Sequence, residues 1–80
     1  IRLYPKPVAG DLNLTWDIAG MPSMNIRVTS MQGEAVLLKE NMQSGATINL
    51  AALPPGYYLV KIYRDDTIKV NKSIKILKLN

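Results

Sequence analysis

The stretch LPPGYYLVKI, Leu53–Ile62, decides the fold of this 80-residue chain. Its two prolines and the glycine that follows them force a tight chain reversal, because proline fixes φ and glycine accepts positive φ. Apolar residues at 58, 60 and 62 then alternate with their neighbours, as in a β-strand, and Leu59 makes the start of this strand apolar on both faces. We therefore expect a central strand. Tyr58 is placed to return its hydroxyl to the backbone just upstream, which is a structural role.

The same period of two extends outward along the chain. It recurs over Leu12–Ile18, where Trp16 falls in the apolar register and is expected in the core. Further short apolar runs follow, separated by turn signals rich in glycine, proline, asparagine and aspartate. These runs are Met24–Val28, Val36–Leu38, Ile48–Leu50 and Thr67–Leu79. The pattern predicts an all-β, immunoglobulin-like sandwich of about seven antiparallel strands with Greek-key connections.

The final run contains a lysine at every third position, a spacing that a helix would also give. Its apolar residues form no stripe on a helix, so we predict a strand, with a bulge or a change of sheet partner near Lys72. Residues three apart on a strand point to opposite faces, so the lysines divide into two pairs and make a poor track for nucleic acid. Lysines on a terminal strand also protect its edge from aggregation. The four are Lys69, Lys72, Lys75 and Lys78.

The first strand carries prolines at alternate positions, Pro5 and Pro7, ahead of Gly10. Proline has no backbone donor, which suits an extended segment at the first edge of a sheet. The chain starts in what reads as a strand and without a signal peptide, so we take residues 1–80 as a single domain cut from a larger protein.

Composition excludes several classes of function. Cysteine and histidine are both absent, which removes disulfides, thiol nucleophiles, imidazole bases and nearly every transition-metal site. The adjacent pair Asp65-Asp66 is more typical of a turn than of a catalytic or calcium site. We therefore predict no enzyme activity, no metal and no cofactor. The net charge of +4 is spread along the chain, and no apolar run approaches membrane-spanning length, so we predict neither nucleic-acid binding nor membrane insertion.

Set end to end, these features resemble one family, the C-terminal sorting domain (type A) of the type IX, or Por, secretion system of Gram-negative bacteria. The resemblance spans essentially the whole chain, from the YPKP opening at Tyr4–Pro7 to the lysine-bearing last strand. Pro7 and Gly10 match the family's Pro-x-x-Gly element, and Gly56 with Tyr58 its Gly-x-Tyr element. Lys6 departs from the asparagine that the family usually has between the opening prolines.

The resemblance implies a folded tag that directs its cargo protein across the outer membrane. The partners it implies are the outer-membrane translocon and a sortase-like protease, with cleavage and surface attachment of the cargo. It also implies passage through the periplasm to the cell surface or medium. We expect the translocon to read the lysines of the last strand, whose edge is also suited to pairing two copies of the domain.

A second function remains open at this point. The domain is alternatively an accessory module of a surface enzyme or adhesin that binds carbohydrate or spaces other domains. Carbohydrate binding needs an exposed aromatic platform, and only Trp16, Tyr4, Tyr57 and Tyr63 are candidates to supply one.

Overall fold

The computed structural model describes residues 1–16, 23–64 and 67–80, and the side chains of all of these except residues 67–71. The described residues form seven strands, as predicted, and no helix. They are β1 (Arg2–Tyr4), β2 (Asp11–Thr15), β3 (Ser23–Ser30), β4 (Ala35–Gln43), β5 (Ala46–Asn49), β6 (Gly56–Arg64) and β7 (Thr67–Lys78). The end of the predicted run Leu12–Ile18, from residue 17 onward, and the predicted turn at Asp65-Asp66 lie outside the described residues.

The strands form two antiparallel sheets that enclose one core. The first sheet has the order β1-β2-β5, and the second has the order β4-β3-β6-β7. The chain passes from one sheet to the other after β2, β4 and β5, so strands that follow each other in sequence are often not neighbours in space. This arrangement confirms the immunoglobulin-like sandwich.

The core contains the alternate residues that the period of two selects. Most strands send alternate side chains inward, where they pack against the opposite sheet. Strand β4 has no buried side chain and adds only the partly buried Leu37 and Met42. Trp16 is 7% exposed and belongs to this core, as expected. The buried apolar side chains are Leu3, Val8, Leu12, Leu14, Trp16, Met24, Ile26, Val28, Ile48, Leu50, Tyr58, Val60, Ile62 and Ile76.

Strand β6 is central, because it lies between β3 and β7. Its pairing with β7 is regular from Gly56, opposite Lys78, to Tyr63, opposite Asn71, and then shifts so that Arg64 lies opposite Thr67. The predicted irregularity in β7 therefore lies just before Asn71, and Lys72 itself is regularly paired with Ile62.

The opening prolines do not extend the first edge strand, and that prediction is wrong. Strand β1 ends at Tyr4, and residues 5–7 bend away from the first sheet. The segment reaches the second sheet, where Val8 forms a parallel bridge with Lys78. Proline has no N–H to donate to a ladder, so alternating prolines favour the end of strand pairing here.

Candidate functional site

The loop between β5 and β6 is fastened by Tyr58. The Tyr58 hydroxyl donates a hydrogen bond of 2.6 Å to the carbonyl oxygen of Pro54, and the residue as a whole is 6% exposed and belongs to the core. Gly56, two residues earlier, has φ +144°, a conformation that residues with a side chain rarely adopt. The predicted structural roles of Gly56 and Tyr58 are both present in this loop.

Lys78 is the second fastening of the same loop. It is 3% exposed, and its Nζ donates hydrogen bonds to the carbonyl oxygens of Leu53 at 3.2 Å and of Leu79 at 2.6 Å. A buried ammonium is costly unless its donors find acceptors, and these two carbonyls supply them. Lys78 therefore holds the end of β7 against the loop that precedes β6, and its charged group is not on the accessible surface.

The other lysines of β7 do not form one patch. Lys75 is exposed on the outer face of the second sheet, with Nζ 4.6 Å from the centre of the Tyr57 ring. Lys72 is exposed and lies opposite Ile62, so it shares the inward-facing side of β7 with Ile76 and Lys78. The division of these residues between two faces agrees with the sequence pattern, and the side chain of Lys69 is outside the described part.

The opening motif covers one end of the last strand. Val8 donates its N–H to the carbonyl oxygen of Leu77 at 3.0 Å and accepts the N–H of Leu79 at 2.7 Å. Pro7 and Gly10 flank this crossing, and the carbonyl oxygen of Gly10 accepts the N–H of Leu50 at 2.9 Å. Pro5 and Pro7 are exposed in the bend that leads to Val8. The family-like positions of the opening thus build the segment that closes the edge of β7 beyond Leu77.

The rest of the β7 edge is open within the described part of the chain. In a strand, the N–H and C=O of one residue point to the same side, and this side alternates. Because Leu77 bonds outward to Val8, Ser73 and Lys75 also present their backbone groups outward. No described strand pairs with them. This stretch of backbone is available for addition of another strand.

The outer face of the second sheet carries three cations that the sequence analysis did not connect. Arg27 of β3 and Lys61 of β6 lie directly opposite each other, and both approach the Tyr63 ring, at 5.5 Å from its centre. Lys75 lies on the same face of β7, two residues after Ser73, which is paired with Lys61. Each of these residues lies between apolar residues that are buried or partly buried, so the sequence alone showed which face of its strand each one occupies. Only the strand register shows that the three are neighbours.

A shallow groove of about 430 Å³ lies beside the Tyr58 loop. It runs between Pro54–Tyr57 and the turn that follows β3. The one carboxylate that lines the groove is that of Glu34. The Ser30 hydroxyl also lines it, but its Oγ accepts the backbone N–H of Glu34 at 3.2 Å and so stabilises the turn. Among the described residues, no cluster of acidic side chains is suited to a metal ion, and no helix is long and apolar enough to cross a membrane.

These features define a small immunoglobulin-like domain whose distinguishing elements are a fastened loop, a half-covered edge strand and a charged sheet face. A family model described as the secretion system C-terminal sorting domain matches residues 2–76. The chain belongs to this family, and it is a C-terminal sorting signal for type IX secretion. The resemblance seen in the sequence is confirmed. No curated protein matches the chain.

Proposed function

We propose that this domain directs its cargo protein across the outer membrane by presenting a folded surface to the type IX translocon. The cargo then passes from the periplasm to the cell surface or medium, where a sortase-like protease removes the domain and the cargo is attached. The domain acts by recognition and performs no chemistry itself. The observation that carries this proposal is the family match, which covers residues 2–76, or 75 of the 80 residues.

The last strand is the element that we assign to recognition. Lys72 and Lys75 are exposed there, on opposite sides of a strand whose outer backbone is open around Ser73. A partner strand that pairs with this edge gains main-chain hydrogen bonds, and the flanking lysines favour an acidic sequence. Lys69 remains part of the predicted set. Lys78 contributes by holding the loop at Leu53, because its ammonium is already bonded within the fold.

The same open edge supports a homodimer in solution. An unpaired strand edge is a template for a second copy as well as for another protein. Self-association through this edge would compete with docking on the translocon, since both need the backbone groups of Ser73 and Lys75.

The basic experiment is an export assay. The 80 residues are fused behind a reporter that carries an export signal, and the fusion is produced in hosts with and without a working type IX system. We expect the reporter at the surface or in the medium only when the system is intact. Retention in the periplasm of both hosts would refute the sorting role and favour the accessory module instead.

The edge itself is tested by Ser73→Pro, with Ser73→Ala as the matched control. The N–H of residue 73 points away from β6, so proline removes no bond of the β6–β7 ladder and is tolerated as at other sheet edges. We expect Ser73→Pro to block strand addition, reducing both export and any dimer seen by sedimentation, while Ser73→Ala leaves both unchanged. Unaltered export of a folded Ser73→Pro variant would rule out the edge as the recognised element.

A further inference from the structure

The outer face of the four-stranded sheet concentrates positive charge on aromatic side chains. We define the basic-aromatic face by five residues: Arg27, Tyr57, Lys61, Tyr63 and Lys75. They come from three adjacent strands, and each lies on the side away from the core. Tyr57 is 52% exposed, with the ammonium of Lys75 4.6 Å from its ring centre. Cations held over tyrosine rings are fixed in position at little further entropic cost when a ligand binds.

The strand register places two of these cations in an unfavourable pair. Arg27 and Lys61 are directly opposite on neighbouring strands, an arrangement in which like charges destabilise a sheet. The Tyr63 ring, 5.5 Å from each, offsets part of this repulsion. Among the described side chains, no carboxylate forms an ion pair with Arg27, Lys61 or Lys75. An anionic group from outside the domain would relieve the repulsion and complete the pairs.

We propose that the basic-aromatic face is a docking surface for an acidic surface patch on a protein of the secretion machinery. This inference rests on the proposed sorting function and names the chemistry of its partner. Tyrosine and arginine are the residue types enriched at protein interfaces and at their energetic centres. Nucleic acid fits less well, because the ring faces that would stack on bases lie beside the cations.

The size of the face indicates a transient complex. Three strands about 4.8 Å apart and about eight residues long span roughly 14 by 26 Å, on the order of 400 Å² per partner. Stable complexes bury about 800 Å² per partner, and smaller contacts are characteristic of transient encounters. Charge complementarity then acts mainly on the rate of encounter, so docking through this face depends on ionic strength.

The test is export of the reporter fusion with all three cations replaced, Arg27→Gln, Lys61→Gln and Lys75→Gln. The matched control replaces one arginine and two lysines elsewhere, Arg2→Gln, Lys6→Gln and Lys39→Gln, all exposed and off this face. Both variants lose three positive charges. Lys75 is exposed, whereas Arg27 and Lys61 are half-buried. At the modest strength of surface charge pairs, the three charges together account for about one factor of ten in affinity. We expect the face variant to be exported roughly tenfold less and the control to match the parent chain.

Each outcome decides between the two proposals. If the parent chain is not exported, the sorting function fails before the face is tested. Export of the parent and of the face variant at equal levels would overturn the docking surface, together with the recognition role of Lys75, and would leave the sorting function standing. An equal loss in the control would also overturn the docking surface, because it would show dependence on net charge. Circular dichroism and thermal unfolding check that the variants fold. Should the triple variant fail that check, Lys61→Gln alone is expected to reduce export about twofold, and no reduction would overturn the proposal.

Discussion

Removal of a single oxygen atom tests how the loop between β5 and β6 is held. Tyr58→Phe keeps the buried ring and deletes only the hydroxyl that donates to the Pro54 carbonyl oxygen at 2.6 Å. An intramolecular hydrogen bond contributes about 0.5–1.5 kcal/mol net, and Pro54 is exposed enough for water to replace the lost donor. We therefore expect a loss of about 1 kcal/mol in the free energy of unfolding. For a domain of this size, that loss lowers the Tm by about 4–8 °C.

Tyr57→Phe is the control for this prediction. Tyr57 is the adjacent tyrosine, it is 52% exposed, and its hydroxyl makes no hydrogen bond with a described residue. Its replacement is expected to change the free energy of unfolding by less than about 0.5 kcal/mol. Calorimetry and urea titration of the three proteins give the comparison directly. Equal Tm values for Tyr58→Phe and the parent chain would show that the hydroxyl does not fasten the loop, and equal losses in both variants would show a nonspecific effect.

Two further substitutions probe the same end of the sandwich. Lys78→Met keeps the length of the buried side chain but removes the donor to the Leu53 carbonyl oxygen. We expect urea titration to show a loss of about 1–3 kcal/mol in the free energy of unfolding. A double-mutant cycle with Tyr58→Phe should show non-additive losses, because both residues hold the same loop. Additive losses would contradict that coupling. Gly56→Ala should lower the free energy of unfolding by about 1–3 kcal/mol. The cause is backbone strain at φ +144° and not a steric clash, because a Cβ at position 56 meets no atom within 4 Å. Gly10 has no positive φ, so Gly10→Ala should be nearly neutral in the same thermal melts. Similar melts for the two alanine variants would exclude strain at position 56.

Period-two alternation predicted β2, β3 and β6, because one face of such a strand packs in the core and the other faces water. It identified the inward residues of β2, β3 and β6 and placed Trp16 in the core. The burial of Trp16 also removes it as an exposed platform for carbohydrate. The loop at Leu53–Tyr58 was equally predictable, because the constraints that fix it are local: two prolines, a glycine at positive φ and a tyrosine four residues from its acceptor.

The path of Pro5–Pro7 was not predictable from local pattern. Alternating prolines are compatible both with an extended edge and with a bend, and the choice depends on what lies within reach. Here Val8 makes two hydrogen bonds at the end of β7. Its bridge partner there, Lys78, is 70 residues later in the sequence. A partner so distant in sequence leaves no mark in the pattern around the prolines.

The sequence by itself therefore determined the class of fold, the fastened loop and the family, since these depend on local conformational limits and on residue order. The tertiary structure decided what each charged residue does. Lys72, Lys75 and Lys78 are equivalent by spacing, yet one is bonded inside the fold and the other two are exposed on different sides of β7. Arg27 and Lys61 became neighbours only through the pairing of β3 with β6. The physical reason is that register and sheet order are set by packing of the whole core, and exposed charges follow the positions that this packing leaves them.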